Sequence, residues 1–156
     1  GCGGYYRDPE KTFSEAVDSE GWATPGDLVK FDEEGFLVIT GRKKDIIIRG
    51  GQNIYPGEIE NLLIAHPKVS DAAVVAMPDQ IMGEKACAFV IPAAGSEALT
   101  FEEMVDYLKS KKLAMYKLPE RLEVVDVFPM AGGSKINKVE LRKIITDKLK
   151  DEGAVS

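Results

Sequence analysis

From Asp45 onward, the chain alternates between short apolar runs and apolar residues spaced three and four apart, and this alternation constrains its fold most. The runs predict strands, and the wider spacing predicts helices with one buried face. The predicted order is β-α-β-β-α-β-α, with strands at 46–48, 72–77, 85–91 and 122–128 and helices that begin at 56, 101 and 138. This order predicts the α+β class, with a small mixed sheet on which helices pack.

Three helix starts carry local signals. Pro56 suits the first position of a helix. Thr100 and Glu103 form a capping-box pattern, and Asn137 with Glu140 repeats it before the last helix. The helix after Thr100 is predicted to bury Phe101, Met104, Val105 and Leu108.

The first 43 residues differ from the rest. Residues 1–26 are rich in glycine, proline and turn formers, with one predicted short helix at 10–17 and no strong core face. A hairpin follows, with strands at 28–31 and 36–39 around a four-residue turn. Because a lone two-stranded hairpin is marginal in water, we expect this part to pack on a neighbouring domain.

Bulk properties exclude several classes. The net charge of −6 argues against nucleic-acid binding, which depends on many Lys and Arg contacts to phosphate. No apolar run reaches the roughly 18 residues of a membrane span. The N-terminus lacks a signal peptide and an initiator Met, which suggests a fragment of a cytoplasmic protein. Cys2, Cys87 and the single histidine, His66 at a helix end, predict neither a disulfide framework nor a metal site.

Three stretches are both glycine-rich and charged, at residues 24–28, 41–56 and 129–138. Taken singly, each has an ordinary explanation as a turn, a solvated charge run or a flexible loop. Taken together, with residues 5–12 ahead of them, their order and spacing resemble the end of the adenylate-forming superfamily. That superfamily contains acyl-CoA synthetases, aryl-acid ligases, peptide-synthetase adenylation domains and luciferases. The resemblance covers nearly the whole chain, from about Gly4.

The resemblance implies roles for individual residues. Asp27 matches the aspartate that holds the ATP ribose hydroxyls, and Arg42 matches an arginine that contacts the ribose and phosphate region. Lys44 falls at the hinge, where the family more often has Asp. Lys135 matches the catalytic lysine that reaches the acyl carboxylate and the α-phosphate during adenylation.

The same resemblance places Arg49, Gly50 and Gly51 beside the channel for the pantetheine arm, where a glycine backbone leaves room. Pro25 and Ser134 depart from the family pattern, which usually has Thr and Gly at these two positions. Neither departure removes a charged residue.

The implied function is that of the C-terminal part of an ATP-dependent carboxylic acid–CoA ligase, an enzyme of fatty or aryl acids. Residues 1–43 are then the tail of the large N-terminal domain, and 44–156 are the mobile C-terminal domain. The complete enzyme is expected to use ATP, Mg²⁺ and CoA. This chain alone is expected to be inactive, to bind no cofactor tightly and to bind no metal.

Two alternatives stay open. Residues 52–60 resemble acyl-CoA ligases, whereas residues 77–85 and 113–121 resemble dihydroxybenzoate-type ligases, which load a carrier protein. Arg49, Lys117 and Lys138 are candidates for binding the CoA phosphates, or else ordinary surface charges. The other class of function is a non-catalytic binding or regulatory module.

Overall fold

The computed structural model describes Val17, residues 19–20, Trp22, residues 26–133 and residues 135–153. It divides into an N-terminal unit that ends at Lys44 and a C-terminal unit that begins at Asp45. The short helix predicted at residues 10–17 lies outside the described residues, apart from its last residue. The assignment of residues 1–43 to a large preceding domain stays a prediction.

The N-terminal unit contains the predicted hairpin. Strands β1 (Asp27–Phe31) and β2 (Leu37–Arg42) pair in antiparallel fashion. The turn between them is fastened by the Asp32 carboxylate, which accepts hydrogen bonds from the backbone N–H of Glu34 and of Phe36. Strand β2 continues three residues beyond the predicted end at residue 39 and therefore includes Arg42.

The C-terminal unit is built on a five-stranded mixed sheet. Its strands are β3 (Ile47–Arg49), β4 (Gln52–Ile54), β5 (Val69–Asp79), β6 (Gly83–Pro92) and β7 (Arg121–Val124). The order is β4-β3-β6-β5, and β7 pairs with β6 in parallel while the other pairs are antiparallel. The α+β class with a small mixed sheet is confirmed.

Three helices complete this unit: α1 (Pro56–Ile64), α2 (Phe101–Ser110) and α3 (Lys138–Asp151). The capping box at Thr100 is confirmed, because its hydroxyl accepts from the N–H of Glu103 and the Glu103 carboxylate accepts from the N–H of Thr100. The Asn137 side chain caps α3 by accepting from the N–H of Glu140. None of the described helices has the length and apolar character to cross a membrane.

Alternate residues of β5 and β6 are buried on opposite faces of the sheet, as the period of two requires. On one face, Val74 and Val90 pack with Ile59 of α1 and Leu108 of α2. The other face is covered by α3, and its buried residues are Ala73, Val75, Met77, Cys87, Phe89, Phe128, Leu141, Ile145 and Leu149. The sheet thus separates two small cores.

Several element predictions were wrong in detail. The strand predicted at 122–128 ends at Val124, although Phe128 is buried. Phe101 is 40% exposed, because Met104 and Leu108 supply the buried face of α2. Strand β4 and the two-residue strands β8 (Met130–Ala131) and β9 (Lys135–Ile136) were not predicted, since they are short and depend on pairing with a neighbour.

Candidate functional site

The predicted ribose-binding pair lies at the open end of the N-terminal hairpin. Asp27 and Arg42 are register partners, and the Arg42 Nε lies 3.2 Å from the Asp27 Oδ1. The N–H of Lys43 donates to the carbonyl of Gly26 across the same end. Both ionic side chains are partly accessible, so the carboxylate can accept from ligand hydroxyls while the guanidinium donates to a ligand oxygen.

A pocket opens at this end of the hairpin and is lined by Gly26, Arg42, Lys43 and Lys44. Three of these four residues carry cationic side chains, and one of them, Arg42, also pairs with Asp27. A pocket lined mostly by cationic residues suits an anionic ligand such as a phosphate ester. The structure therefore brings Asp27, Arg42 and Lys44 together in the N-terminal unit.

The predicted channel glycines form the turn between β3 and β4. Gly50 and Gly51 have φ values of +54° and +82°, which is the left-handed pair that a two-residue hairpin turn of type I′ requires. The N–H of Gly50 donates to the carbonyl of Met82, and a Cβ at Gly50 would lie 3.1 Å from the Met82 Sδ. Gly51 is exposed, and a Cβ there would meet no described atom within 4 Å.

Arg49 precedes this turn and is held in a chain of ion pairs. Its Nε lies 2.6 Å from Glu120, whose other oxygen lies 2.9 Å from the Nζ of Lys85. Lys85 also pairs with Asp79 at 2.8 Å. The hydrogen bond from Lys85 lowers the pKa of Asp79 to about 2, so this carboxylate stays ionised.

The other candidates for the CoA phosphates are paired in the same way. Lys117 lies 2.7 Å from Glu58, and Lys138 lies 2.7 Å from Glu60. Sequence reasoning named none of these three glutamates, Glu58, Glu60 and Glu120, as the partner of a cation. Lys117 and Glu58 lie 59 residues apart in the chain, so no local sequence pattern indicates that they pair.

Lys135 lies in the C-terminal unit on β9, in the hairpin with β8. Gly132 and Gly133, with φ values of +60° and +91°, contribute to the turn before it. The Lys135 side chain is exposed and makes no ion pair with any residue that the structure describes. An ammonium on such a hairpin is available to an external anion.

The sequence-family model of the AMP-binding enzyme C-terminal domain matches residues 58–135, and the chain belongs to this family. Its curated relatives are adenylate-forming ligases of two kinds. The medium-chain fatty-acid–CoA ligase of Escherichia coli is 47% identical over 146 residues, which are 94% of this chain and 26% of the relative. The 2,3-dihydroxybenzoate-AMP ligase of Bacillus subtilis is 42% identical over 146 residues, with the same two shares.

The fold is shared with solved structures. The ATP-bound structure of MatB from Rhodopseudomonas palustris matches with a TM-score of 0.81 and 36% identity, over 94% of this chain and 28% of MatB. The chain thus spans about a quarter of the length of the curated relatives it matches. The predicted resemblance to adenylate-forming enzymes is confirmed.

Proposed function

We propose that the chain is the C-terminal part of an ATP-dependent carboxylic acid–CoA ligase. A fatty or aryl carboxylate would attack the α-phosphorus of ATP and release pyrophosphate, and the CoA thiol would then attack the acyl carbon and release AMP. The observation that carries the proposal is the cation-lined end of the hairpin, where Asp27 faces Arg42, in a chain of this family. ATP, Mg²⁺ and CoA are proposed for the whole ligase.

Lys135 is the proposed catalytic residue of the first step. Adenylation develops negative charge around the α-phosphorus, and a positioned cation lowers that barrier electrostatically. The exposure of Lys135 and its lack of an ion pair within the described residues support this role, because nothing there competes for the ammonium. Loss of such a group costs about 3–4 kcal/mol in the transition state.

Lys44 is the proposed hinge between two poses of the C-terminal domain. In the first pose Lys135 would serve adenylation, and in the second the turn at Gly51 would border the pantetheine arm. The division of the chain between Lys44 and Asp45 supports this role, and the bare, exposed backbone of Gly51 suits close approach of a ligand. The assignment of residues 1–43 to the large domain belongs to the same proposal.

A carrier protein is the alternative acceptor. The relative from Bacillus subtilis supports an aryl-acid ligase of this kind. The glutamate partners of Arg49, Lys117 and Lys138 favour it as well, because a paired cation is a poorer site for the CoA phosphates than a free one. A non-catalytic binding module is the candidate from another class.

The test measures the two half-reactions of the full-length ligase separately. ATP–pyrophosphate exchange is followed across a panel of fatty and aryl acids, and thioester formation is followed from supplied acyl-AMP with CoA or a carrier protein. Lys135→Ala is expected to lower exchange by roughly 100-fold or more and to leave the second step in place. Lys109→Ala, which removes an exposed lysine of α2, is the matched control.

Each outcome bears on a different part of the proposal. Equal losses in both steps for Lys135→Ala would contradict the two-pose mechanism. Absence of exchange with every acid would favour the non-catalytic module. The 156-residue chain alone is predicted to form no acyl-AMP, and acyl-AMP formation by it would refute that prediction.

A further inference from the structure

Helix α3 links Asp45, the residue after the proposed hinge, with the hairpin that carries Lys135, the proposed catalytic residue. Lys138 and Arg142 lie one turn apart and therefore share a face of the helix. The Lys138 Nζ lies 2.7 Å from the Glu60 Oε1, and the Arg142 Nη2 lies 2.9 Å from the Asp45 Oδ1. Asp45 is the residue directly after Lys44.

The contact between Arg142 and Asp45 joins residues 97 positions apart in the chain. Both side chains are partly buried, at 29% and 16% exposure, so water screens the pair less than it screens a surface ion pair. Asp45 ends the 3-10 turn Lys43–Asp45, and β3 begins two residues later with the fully buried Ile47. The pair therefore fixes the first residue of the C-terminal unit to α3.

The hairpin of Lys135 is joined to the start of the same helix, about one turn before Arg142. The N–H of Asn137 donates to the carbonyl of Pro129 at 2.7 Å, while its side chain caps α3. Glu60, the partner of Lys138, also accepts from the N–H of Val74 at 2.7 Å. Through Glu60, contacts to α1 and to β5 thus hold the start of α3, and the strand before it pairs with β8.

Helix α3 has little freedom to slide on the sheet. Leu141 and Ile145 are fully buried and Leu149 is nearly so, and they pack against Phe89 of β6. A packed core transmits displacement because it is not continuously deformable. A shift of Asp45 relative to α3 is therefore equivalent to a shift of Asp45 relative to Lys135.

We propose that Arg142 is a positioning residue for adenylation: its ion pair with Asp45 fixes the residue after the hinge to the helix that carries Lys135. Rotation at Lys44 then delivers Lys135 to one defined place. The turn at Gly50 and Gly51 needs no such contact, because it follows Asp45 directly along the chain through β3. The inference rests on the proposed ligase function.

The experiment compares two arginines of the full-length ligase. Arg142→Gln removes the pair with Asp45. Arg121→Gln is the matched control, since Arg121 is 23% exposed and pairs with Glu152 at the opposite end of α3. Single-turnover formation of acyl-AMP, single-turnover thioester formation from supplied acyl-AMP, and the Tm are measured for each.

Arg142→Gln is expected to slow acyl-AMP formation by roughly 10- to 100-fold, the effect of misplacing a catalytic group by about 1 Å. The KM for ATP and the thioester step are expected to stay near those of the unmodified ligase. Arg121→Gln is expected to lower the Tm without changing the ratio of the two rates. The exchanged pair Asp45→Arg with Arg142→Asp is expected to recover part of the adenylation rate.

Equal slowing of both steps by Arg142→Gln, or an unchanged ratio of rates, would overturn the inference while leaving the ligase function intact. If Arg142→Gln fails to fold, Asp45→Asn removes the pair from the other side, and an unchanged ratio of the two rates in that variant would overturn the inference as well. Failure of the proposed function is a separate result, in which the unmodified ligase itself forms no acyl-AMP.

Discussion

The N-terminal hairpin and the C-terminal unit use the same kinds of apolar residue in opposite ways. In the hairpin, Phe31 is 72% exposed and Phe36 and Ile39 are each 65% exposed. In the C-terminal unit, Phe89 and Ile47 are fully buried. The sheet of the C-terminal unit has helices on both faces and so closes two cores by itself, whereas two strands alone offer no second layer. An apolar pattern thus predicts a strand but not whether its own unit covers it.

The largest effect expected from this difference is on stability. Phe89→Ala should lower the free energy of unfolding by about 3–5 kcal/mol, because it leaves a cavity between β6 and α3. Phe36→Ala removes the same side chain from an exposed position and should change it by less than about 0.5 kcal/mol. Urea denaturation of the 156-residue chain, followed by circular dichroism, measures both.

Equal destabilisation of the two variants would contradict this difference between the hairpin and the C-terminal unit. That result would mean that the hairpin contributes to the same cooperative unit as the sheet. A change in Phe89→Ala confined to the slope of the urea curve would point instead to an altered unfolded state.

Glycine turns provide a smaller effect of the same kind. Gly50→Ala should cost about 1–2 kcal/mol for its left-handed backbone and somewhat more for the contact with Met82. Gly51→Ala has the backbone cost without a nearby atom, so the difference between the two measures the contact. Gly35→Ala strains a turn of the N-terminal hairpin, at a φ of +84°, and should leave the stability of the C-terminal unit unchanged.

Hydrogen exchange of the β5–β6 amides reports the stability of the C-terminal unit in these variants. Faster exchange in Gly35→Ala would contradict the independence of the C-terminal unit from the hairpin turn. Equal exchange in Gly50→Ala and Gly51→Ala would contradict a cost for the contact with Met82.

The smallest expected effect is a pH dependence that belongs to the C-terminal unit, which holds the chain's single histidine. Burial lowers the pKa of His66, and its Nδ1 accepts from the N–H of Lys68 at 3.1 Å. The pKa of His66 in the folded chain lies below its unfolded value of about 6.5. The stability that comes from keeping His66 neutral is therefore fully present above pH 6.5, and it is lost as the pH falls below that value.

His66→Asn keeps an acceptor oxygen but does not titrate. Between pH 7.5 and pH 5, the urea midpoint of the unmodified chain should therefore fall more than that of this variant. Carboxylate titrations affect both chains alike and cancel in the difference. A difference that stays constant with pH would show that His66 titrates alike in the folded and unfolded chain.

The sequence predicted most of the fold because its signals are local. Helix starts at Thr100 and Asn137 depend on side chains within three residues, and β5 and β6 are visible as short apolar runs. The end of β7 and the existence of β4 were missed, since a short strand forms only where a partner strand is available. Phe101 shows the same limit, because helical spacing alone does not fix the edge of a buried face.

What the sequence by itself determined is the family, the order of elements and the residue types at each candidate position, since each is read from residue types and their order along the chain. Only the tertiary structure decided which acid meets which cation. Arg49 with Glu120 and Arg142 with Asp45 join residues 71 and 97 positions apart. An ion pair depends on distance in space, and packing of the sheet and helices sets that distance, so no local pattern encodes it.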